Sequence, residues 1–291
     1  MSACQKILLA DRAVIGVTGD EAEKFLQGLI TNSMERVGDG HAVHAGLLAS
    51  QGKILFDFFV IDDGEGGYLI DCAGDQAADL AKRLTLYRLR AKVEIAVRPE
   101  LSVAAFIGEP PSLSEDAIVY PDPRLAALGA RAVLTEEAFG KVDCEAGSEA
   151  DYHALRISLG VPAGGQDFQY GQSFPHEALF DQLDGVDFRK GCFVGQEVVS
   201  RMQHRGTARK RIVPVIGEAA LPEPGTPVET ESGALGAITS VSGAHGLALI
   251  RLDRAADALS KGEQITCGDV AIRLVQPGWA KFDVPNAAAT A

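Results

Sequence analysis

Cysteine is scarce in this chain of 291 residues, and the cysteines that it has are widely scattered. They are Cys4, Cys72, Cys144, Cys192 and Cys267. No Cys-x-x-Cys pair and no cluster of cysteine with histidine occurs, which excludes a dedicated zinc or iron–sulfur cage of that kind. We therefore expect no resident metal site. An odd number of scattered cysteines also argues against a disulfide framework and predicts a reducing compartment.

Long apolar runs and a surplus of positive charge are also missing. No apolar segment approaches the roughly 20 residues that a membrane span requires, so we expect no membrane attachment. Lysine and arginine number 27 against 40 acidic residues, and the net charge of −13 argues against binding of the whole chain to nucleic acid. Residues 1–10 lack the regions of a signal peptide and the arginine-rich character of a transit peptide, which predicts a cytoplasmic protein.

The most informative segment is 190–197, which reads Lys-Gly-Cys-Phe-Val-Gly-Gln-Glu. Apolar residues at 194, 198, 199 and 202 share one helical face, so a helix is predicted to begin close to Cys192. Helix N-termini and a nearby Lys190 both favour an anion, which would stabilise the thiolate. A free cysteine is most often a small buried apolar residue, but glycine and charged neighbours here favour a reactive thiol.

Alternating and helical spacing of apolar residues predict an α+β protein. The pattern of apolar residues changes after Arg211. Helices are predicted at 20–31, 75–88 and 149–159, and strands at 43–49, 53–62, 67–72, 93–97, 102–107 and 131–134. Beyond Arg211, short apolar pieces separated by proline and glycine predict an antiparallel β-barrel. We therefore divide the chain into an α+β domain at 1–211, with a second lobe starting near 90–110, a barrel at 212–283 and a frayed tail at 284–291.

Several segments together resemble a known family. They are 25–32 (Phe-Leu-Gln-Gly-Leu-Ile-Thr-Asn), 52–57 (Gly-Lys-Ile-Leu-Phe-Asp), 156–162, 174–177 (Phe-Pro-His-Glu) and 188–201. They resemble folate-binding relatives of the glycine-cleavage T-protein (aminomethyltransferase) that act in iron–sulfur cluster assembly and repair. The Lys-Gly-Cys-aromatic-x-Gly-Gln-Glu string at 190–197 distinguishes these proteins from true T-proteins.

The resemblance implies a T-protein-like architecture with a C-terminal antiparallel β-barrel around a central folate cavity. It implies a tetrahydrofolate-binding accessory factor for assembly or repair of four-iron clusters. Cys192 would be its essential thiol, and binding a transient cluster would be one role of that thiol. The implied partners are folate, iron–sulfur assembly proteins and client iron–sulfur enzymes.

The candidate site residues follow from the same resemblance and from the chemistry of a pterin. Cys192, Lys190 and Asp57 are the candidates for catalysis. The candidates for folate binding are Asn32, Asp57, Tyr152, Glu177, Gly191, Gln196, Glu197 and Arg201. A carboxylate accepts two hydrogen bonds from the amidine-like edge of a reduced pterin, which is why Asp57 and Glu177 are chosen. Tyr152 or Phe174 would supply an aromatic wall.

A run of basic residues at 201–211 follows the 190–197 motif and allows two interpretations. It comprises Arg201, His204, Arg205, Arg209, Lys210 and Arg211. It is either a solvated basic loop or a cradle for a polyanion such as the glutamate tail of a folate. No aromatic residues interleave the run, as stacking on single-stranded nucleic acid would require.

One departure from the T-protein pattern affects the expected activity. True T-proteins carry two adjacent acids where this chain has Phe56 and Asp57, so conventional aminomethyl transfer is doubtful. A folate-dependent one-carbon transferase or demethylase is the alternative function. A hydrolase with Cys192 as nucleophile and His204 or His176 as base is a third interpretation, although no acid lies in a recognisable pattern near either histidine.

Overall fold

The computed structural model divides the chain into two compact units. The residues that it describes are 4–108, 113–114, 117–206, 208–285 and 288–289. The first unit comprises Met1–Tyr152 and Leu183–Gln196, and the second comprises His153–Gln182 and Glu197–Ala291. Each unit is thus assembled from two stretches of chain, whereas the sequence suggested one continuous domain up to residue 211.

The first unit contains two five-stranded sheets and three complete α-helices. Its strands are β1 Gln5–Leu8, β2 Arg12–Thr18, β3 Val43–Leu48, β4 Ile54–Asp62, β5 Tyr68–Ala73, β6 Glu94–Val97, β7 Ser102–Ile107, β8 Ile118–Pro121, β9 Ala130–Leu134 and β10 Glu145–Ala146. Its α-helices are α1 Ala22–Gln27, α2 Ala77–Arg88 and α3 Glu136–Gly140, with the start of α4 Glu149–Leu159. The sheets have the orders β10-β1-β7-β9-β8 and β3-β4-β5-β2-β6.

The β3–β6 sheet lies between α1 and α2 on one face and the second sheet on the other, and the far face of the second sheet packs with α3. Leu26 of α1 and Leu80 of α2 pack with Phe58 on one face of the β3–β6 sheet. On its other face, Phe59 packs with Tyr120 and other side chains of the second sheet. No helix in the described parts of the chain is both long and apolar enough to cross a membrane.

The β4–β5 hairpin shows how the local sequence dictates structure. Seven of the nine residues of β4 are buried, which suits a strand covered on both faces. The carboxylate of Asp63 accepts hydrogen bonds from the backbone N–H groups of Glu65 (2.8 Å) and Gly67 (2.7 Å). Gly64 and Gly66 adopt positive φ angles of 77° and 89°, which residues with a side chain rarely do. The predicted hairpin is confirmed.

The second unit is built around a closed antiparallel barrel. Its strands are β11 Lys210–Gly217, β12 Pro227–Thr230, β13 Gly233–Ser242, β14 His245–Arg251, β15 Thr266–Cys267 and β16 Val270–Gln276, with a short β17 Ala288–Ala289. Pairing runs β11-β14-β13-β12-β15-β16, and β16 pairs back with β11 to close six strands. The helices of this unit are the end of α4, α5 Gln196–Arg205, of which Gln196 belongs to the first unit, and α6 Leu252–Ser260. The predicted C-terminal barrel is confirmed.

The buried guanidinium of Arg156 ties the start of the second unit to its barrel. It donates hydrogen bonds to Asp167 (2.6 Å) and to the hydroxyl of Ser240 in β13 (3.1 Å). At the other end of the barrel sequence, Val284 is buried in the barrel core. The rest of the predicted frayed tail lies outside the described residues, except for 285 and the backbone of 288–289.

Two cysteines that the sequence left unpaired form a disulfide. Cys4 and Cys144 are bonded across a separation of 140 residues. Strand β1 pairs in parallel with β10, with Gln5 opposite Glu145, and this pairing brings the preceding cysteines together. The expectation of no disulfide was therefore wrong, because linear spacing carries no information about strands that pair from distant parts of the chain.

Candidate functional site

The segment containing Cys192 is held in the first unit by a buried lysine. The Nζ of Lys190 donates hydrogen bonds to the carbonyl oxygens of Gln27 (2.8 Å), Ile30 (2.7 Å) and Asn32 (2.7 Å). An ammonium group has three protons, so all of them are used to satisfy carbonyls at and beyond the end of α1. Burial lowers the pKa of Lys190 to about 8, against the opposing charge of Asp187. These contacts give Lys190 a role in positioning the segment.

A glycine fixes the same segment from its other end. Gly195 has φ +81°, and a Cβ at this position would lie 2.6 Å from the carbonyl oxygen of Ala49 and 3.1 Å from the Cα of Gly52. The segment therefore rests directly on the turn between β3 and β4. Gly191 differs, since a Cβ there would meet nothing within 4 Å. We call residues 188–195, anchored by Lys190 and Gly195, the signature loop.

Cys192 is exposed in the signature loop, whereas the other two free cysteines, Cys72 and Cys267, are buried. Burial raises the pKa of Cys72 to about 12, so that thiol is inert at neutral pH. Helix α5 begins at Gln196, four residues after Cys192. The effect of a helix dipole is concentrated in the first turn, so the predicted placement of Cys192 at the helix start is not observed. What distinguishes this thiol is its exposure on an anchored loop.

Asn32 is the most completely bonded of the candidate folate ligands. Its Nδ2 donates to the carbonyl oxygens of His44 (2.8 Å) and Asp184 (2.6 Å). Its Oδ1 accepts from the N–H of Ser33 (2.9 Å) and from Arg36 (3.0 Å). An amide side chain has two donors and two acceptor positions, and all four are used. Asn32 therefore organises the base of the signature loop and has no bonding capacity left for a ligand.

Asp57 lies within β4 and is largely buried, as its place in an apolar strand suggested. Its Oδ2 is 3.8 Å from the Nε2 of His44, which lies on the neighbouring strand β3. The ring of His44 packs against Phe59, with 5.5 Å between centroids. The two atoms are within ion-pair range but beyond hydrogen-bond distance, and this pair is the candidate acid–base group of the first unit.

Tyr152 has a different environment from the one that a folate wall would need. Its ring is buried in the core between the two sheets. Its hydroxyl accepts hydrogen bonds from Arg124 (2.8 Å) and Arg131 (2.9 Å). The structure thus places Tyr152 in a buried network of charged side chains.

Glu177 lies in the second unit, at a cleft of about 240 Å³. The cleft is lined by Phe174, Glu177, Met202, Ala208, Arg209, Lys210 and Arg251. The Oε2 of Glu177 accepts a hydrogen bond from the N–H of Phe174 at 2.9 Å, which fixes the carboxylate beside the aromatic ring. The cleft therefore combines a carboxylate, an aromatic ring and three cationic side chains.

The predicted basic run separates into bonded and cleft-lining members. Arg201 pairs with Glu197 (2.6 Å) on the exposed face of α5, and both were candidates for folate binding. Arg211 is buried and forms a two-bond ion pair with Asp181, with both N–O distances 2.9 Å. Of the remaining members, Arg209 and Lys210 line the cleft. Neither open interpretation holds for the whole run, because its side chains lie in different environments: an ion pair on α5, a buried ion pair and the cleft.

The other candidates and the histidines are placed as follows. Gln196 is half-buried at the first position of α5. The Nε2 of His176, a candidate base, lies 3.0 Å from the Oε1 of Gln203. Burial lowers the pKa of His176. Among the described residues, no group of three or more His, Cys, Asp or Glu side chains is arranged to hold a metal ion.

Sequence reasoning missed two residues of these sites. His44 interrupts an otherwise apolar predicted strand, and that irregularity was the available signal. Arg251 is the last residue of β14 and lies 40 or more positions after the other cleft residues in the sequence. It pairs with Asp253 (2.8 Å). No local pattern marks Arg251, because only barrel closure brings it to the cleft.

Comparison with known proteins identifies relatives that match most of the chain. Residues 209–282 match the family described as the CAF17 C-terminal β-barrel domain. The mitochondrial iron–sulfur cluster assembly factors IBA57 of Homo sapiens and Mus musculus are 34% and 31% identical, and each match covers 93% of this chain and 84% of the relative. The IBA57 homologue of Neurospora crassa is 34% identical over 74% of this chain, which spans only 54% of that longer protein.

A solved structure matches the fold at lower identity. The glycine cleavage system aminomethyltransferase T from Bartonella henselae superposes with a TM-score of 0.75, covering 96% of this chain and 87% of its own. At 15% sequence identity this likeness concerns the fold alone. The predicted T-protein-like α+β architecture is confirmed.

The same relatives decide two of the expectations drawn from the sequence. Their names place them in the mitochondrion, so the expected cytoplasmic location is contradicted. The expectation was wrong because the location was inferred from the composition of residues 1–10. Location depends on a targeting signal, and the fold does not determine that signal. The suspected family, in contrast, is confirmed by the extent and identity of the matches: the chain belongs to the family of the iron–sulfur cluster assembly factor IBA57.

Proposed function

We propose that this protein acts in iron–sulfur cluster assembly and that Cys192 is its essential thiol. The relatives named for this activity match nearly the whole chain. The observation that carries the proposal is the exposure of Cys192 on a loop that Lys190 and Gly195 hold in place. An anchored, accessible thiol can meet a cluster or a sulfur donor on another protein without rearrangement of the fold.

A single thiol limits what the protein does alone. Iron–sulfur clusters are held by about four cysteine ligands, and Cys192 supplies one. Among the described residues no group of three or more His, Cys, Asp or Glu side chains is arranged to complete such a site. We therefore infer that Cys192 acts on a cluster whose other ligands belong to a partner assembly protein or client enzyme.

Cells carrying Cys192→Ala test this role. We expect reduced activity of enzymes that contain four-iron clusters, with normal abundance and thermal stability of the variant protein. Cys267→Ala is the matched control, because it removes a free cysteine that is buried in the barrel. Normal activity of four-iron enzymes in Cys192→Ala cells would refute the proposal.

We also propose that the protein binds tetrahydrofolate. The cleft at Glu177 fits the chemistry of a folate, since a carboxylate can accept from the pterin edge, Phe174 can cover the ring, and cationic side chains suit the glutamate tail. Asp57 is the second candidate carboxylate, in the first unit. Asn32 does not fit because its polar atoms are already bonded to neighbouring groups, and Tyr152 does not fit because its ring is buried between the two sheets. A bound folate would supply a one-carbon carrier or a reduced ring.

Titration calorimetry with tetrahydrofolate tests the ligand. Glu177→Gln and Asp57→Asn keep side-chain shape and remove charge, so each is expected to weaken binding by about tenfold if its carboxylate meets the pterin. Glu223→Gln, an exposed position in the barrel unit, should bind as the wild type does. Failure of the wild-type protein to bind tetrahydrofolate would reject the ligand and leave the role of Cys192 to its own test.

A further inference from the structure

Exposed apolar side chains are concentrated on one surface of the first unit. In the described residues four large hydrophobic side chains are exposed: Leu86 (64%), Leu89 (87%), Val97 (42%) and Phe188 (37%). Three of them belong to the end of α2, the turn that follows it, or β6, and α2 packs against β6. Single exposed leucines are ordinary, but a group of them marks a surface that contacts something other than water. We call residues 82–97 the α2–β6 surface.

Leu89 occupies a backbone conformation that disfavours leucine. Its φ is 48° and its ψ is −101°, directly after the last residue of α2. Residues other than glycine, asparagine and aspartate rarely adopt positive φ, and doing so costs about 1–3 kcal/mol. With 87% of its surface exposed, this leucine gains little from burial in return. The stability of the fold therefore does not explain a leucine at this position, whereas contact with a partner would explain it.

The charged side chains of residues 82–92, the part of this surface that contains both leucines, are all positive. Residues 82–92 contain five basic residues and no acid, in a chain whose net charge is −13. They are Lys82, Arg83, Arg88, Arg90 and Lys92, all of them exposed. None of the five forms an ion pair with a carboxylate within the part of the chain that the structure describes. Arg88 donates to the carbonyl oxygen of Val93 (3.2 Å), which links the turn to β6. Glu94 of β6 is the one acid within residues 82–97, so the surface carries a net positive charge and the charge complementary to it is negative.

Strand β6 adds an unused hydrogen-bonding edge. It lies at the end of its sheet and pairs only with β2 among the described strands. Three of its four residues are exposed. An edge strand presents N–H and C=O groups that another extended segment can pair with, and flanking side chains then determine which segment is accepted.

We propose that the α2–β6 surface is a docking site for an extended acidic segment of a partner protein that also carries an apolar side chain. The segment adds to the edge of β6, its acids meet the five basic side chains, and its apolar residue covers Leu86 and Leu89. A polypeptide is favoured over an anionic membrane because only a strand satisfies the edge of β6, and the net charge of −13 opposes attachment to such a membrane. A second copy is disfavoured because a two-fold pairing of this surface with itself would bring like charges together, and joining it to a different surface of the same chain makes an interface that need not close.

Fluorescence anisotropy with a labelled synthetic peptide of alternating glutamate and leucine tests the site on the full-length protein. We expect saturable binding that weakens with added salt, and no binding of the peptide with lysine in place of glutamate. The double variant R83E/R90E should weaken binding by at least about tenfold, while R273E, an exposed reversal in the barrel, should not.

Leu89→Gly separates binding from folding. Glycine relieves the positive φ, so this variant should melt at the same temperature as the wild type or higher while its peptide binding falls. Equal binding by wild type and Leu89→Gly would overturn the proposal. So would binding of phosphatidylglycerol vesicles in preference to the peptide, or a dimer seen by sedimentation that R83E/R90E dissociates.

Discussion

At the scale of single residues, the signature loop depends on groups far from it in sequence. The Nζ of Lys190 bonds carbonyls between Gln27 and Asn32, about 160 positions earlier. Gly195 approaches the backbone of Ala49 more closely than any residue with a Cβ would allow. Cys192 itself has no such constraint. The exposure of the thiol is therefore a consequence of its anchored neighbours.

Gly195→Ala should destabilise the protein by about 1–3 kcal/mol, because alanine disfavours φ +81° and its Cβ would lie 2.6 Å from the Ala49 oxygen. We expect a lower midpoint in urea unfolding and an altered rate of Cys192 with a thiol reagent. Gly191→Ala is the matched control, since its Cβ would enter open space, and it should change neither quantity. Equal stability of the two variants would contradict the close approach at Gly195.

At the scale of elements, a buried charged network joins the two sheets of the first unit. Asp71 of β5 accepts hydrogen bonds from Arg12 of β2 (2.6 Å), Arg131 of β9 (2.7 Å) and Tyr120 of β8 (3.1 Å). The guanidinium of Arg131 also lies over the ring of Phe59, 4.6 Å from its centroid. Sheet packing therefore depends on paired charge as well as on apolar contact.

This network predicts loss of stability in acid. Burial by itself raises the pKa of Asp71, but the charges and hydrogen bonds of Arg12 and Arg131 outweigh it and hold the pKa below its ordinary value of 3.8. A lowered folded-state pKa means stability that is present above the unfolded value and is lost as pH falls through the folded value. The unfolding free energy should therefore fall from about pH 5 to about pH 2.

Asp71→Asn tests the origin of that dependence. At neutral pH it should cost about 3–5 kcal/mol, because it leaves Arg12 and Arg131 buried without their counter-charge. If the variant folds, its acid dependence should be shallower than that of the wild type. Tyr120→Phe, which removes only the neutral partner, should keep the dependence, as should Asp79→Asn, which changes an exposed residue of α2. Wild-type and Asp71→Asn curves of equal slope would assign the effect to other carboxylates.

At the scale of the whole molecule, distant stretches of chain are joined by covalent and hydrogen bonds within each unit. The disulfide of Cys4 and Cys144 fixes β1 beside β10 in the first unit. In the second, Trp279 donates to the carbonyl oxygen of Leu159 (2.8 Å), which gives a role to the single tryptophan. Each unit thus depends on contacts that close long loops.

Reduction of the disulfide should destabilise the first unit by about 2–4 kcal/mol, since the bond restricts a long loop of the unfolded chain. We expect dithiothreitol to lower the melting temperature of the wild type but not that of C4S/C144S. Alkylation of the denatured protein without reductant should label the three free cysteines, and all five after reduction. Labelling of five cysteines without reductant would contradict the disulfide.

The sequence by itself determined the elements whose signals are local. The strands at 43–49, 53–62 and 67–72, the helix at 149–159 and the barrel after 211 were predicted because their alternation, helical spacing and turn residues lie within a few positions of each other. It also identified the family through the 190–197 motif. The strands Gln5–Leu8 and Arg12–Thr18 and the helix Leu252–Ser260 were missed, although each has an apolar pattern.

Only the tertiary structure decided what the candidate residues do. The polar atoms of Asn32 and Tyr152 are bonded to neighbouring groups, Lys190 satisfies carbonyls, and Arg211 pairs with Asp181, whereas Glu177 faces a cleft. The same residue types in the same sequence allowed either outcome. The physical reason is that the partner of a buried charge or amide is set by which strands and loops pack together, and that pairing brings residues together across most of the chain.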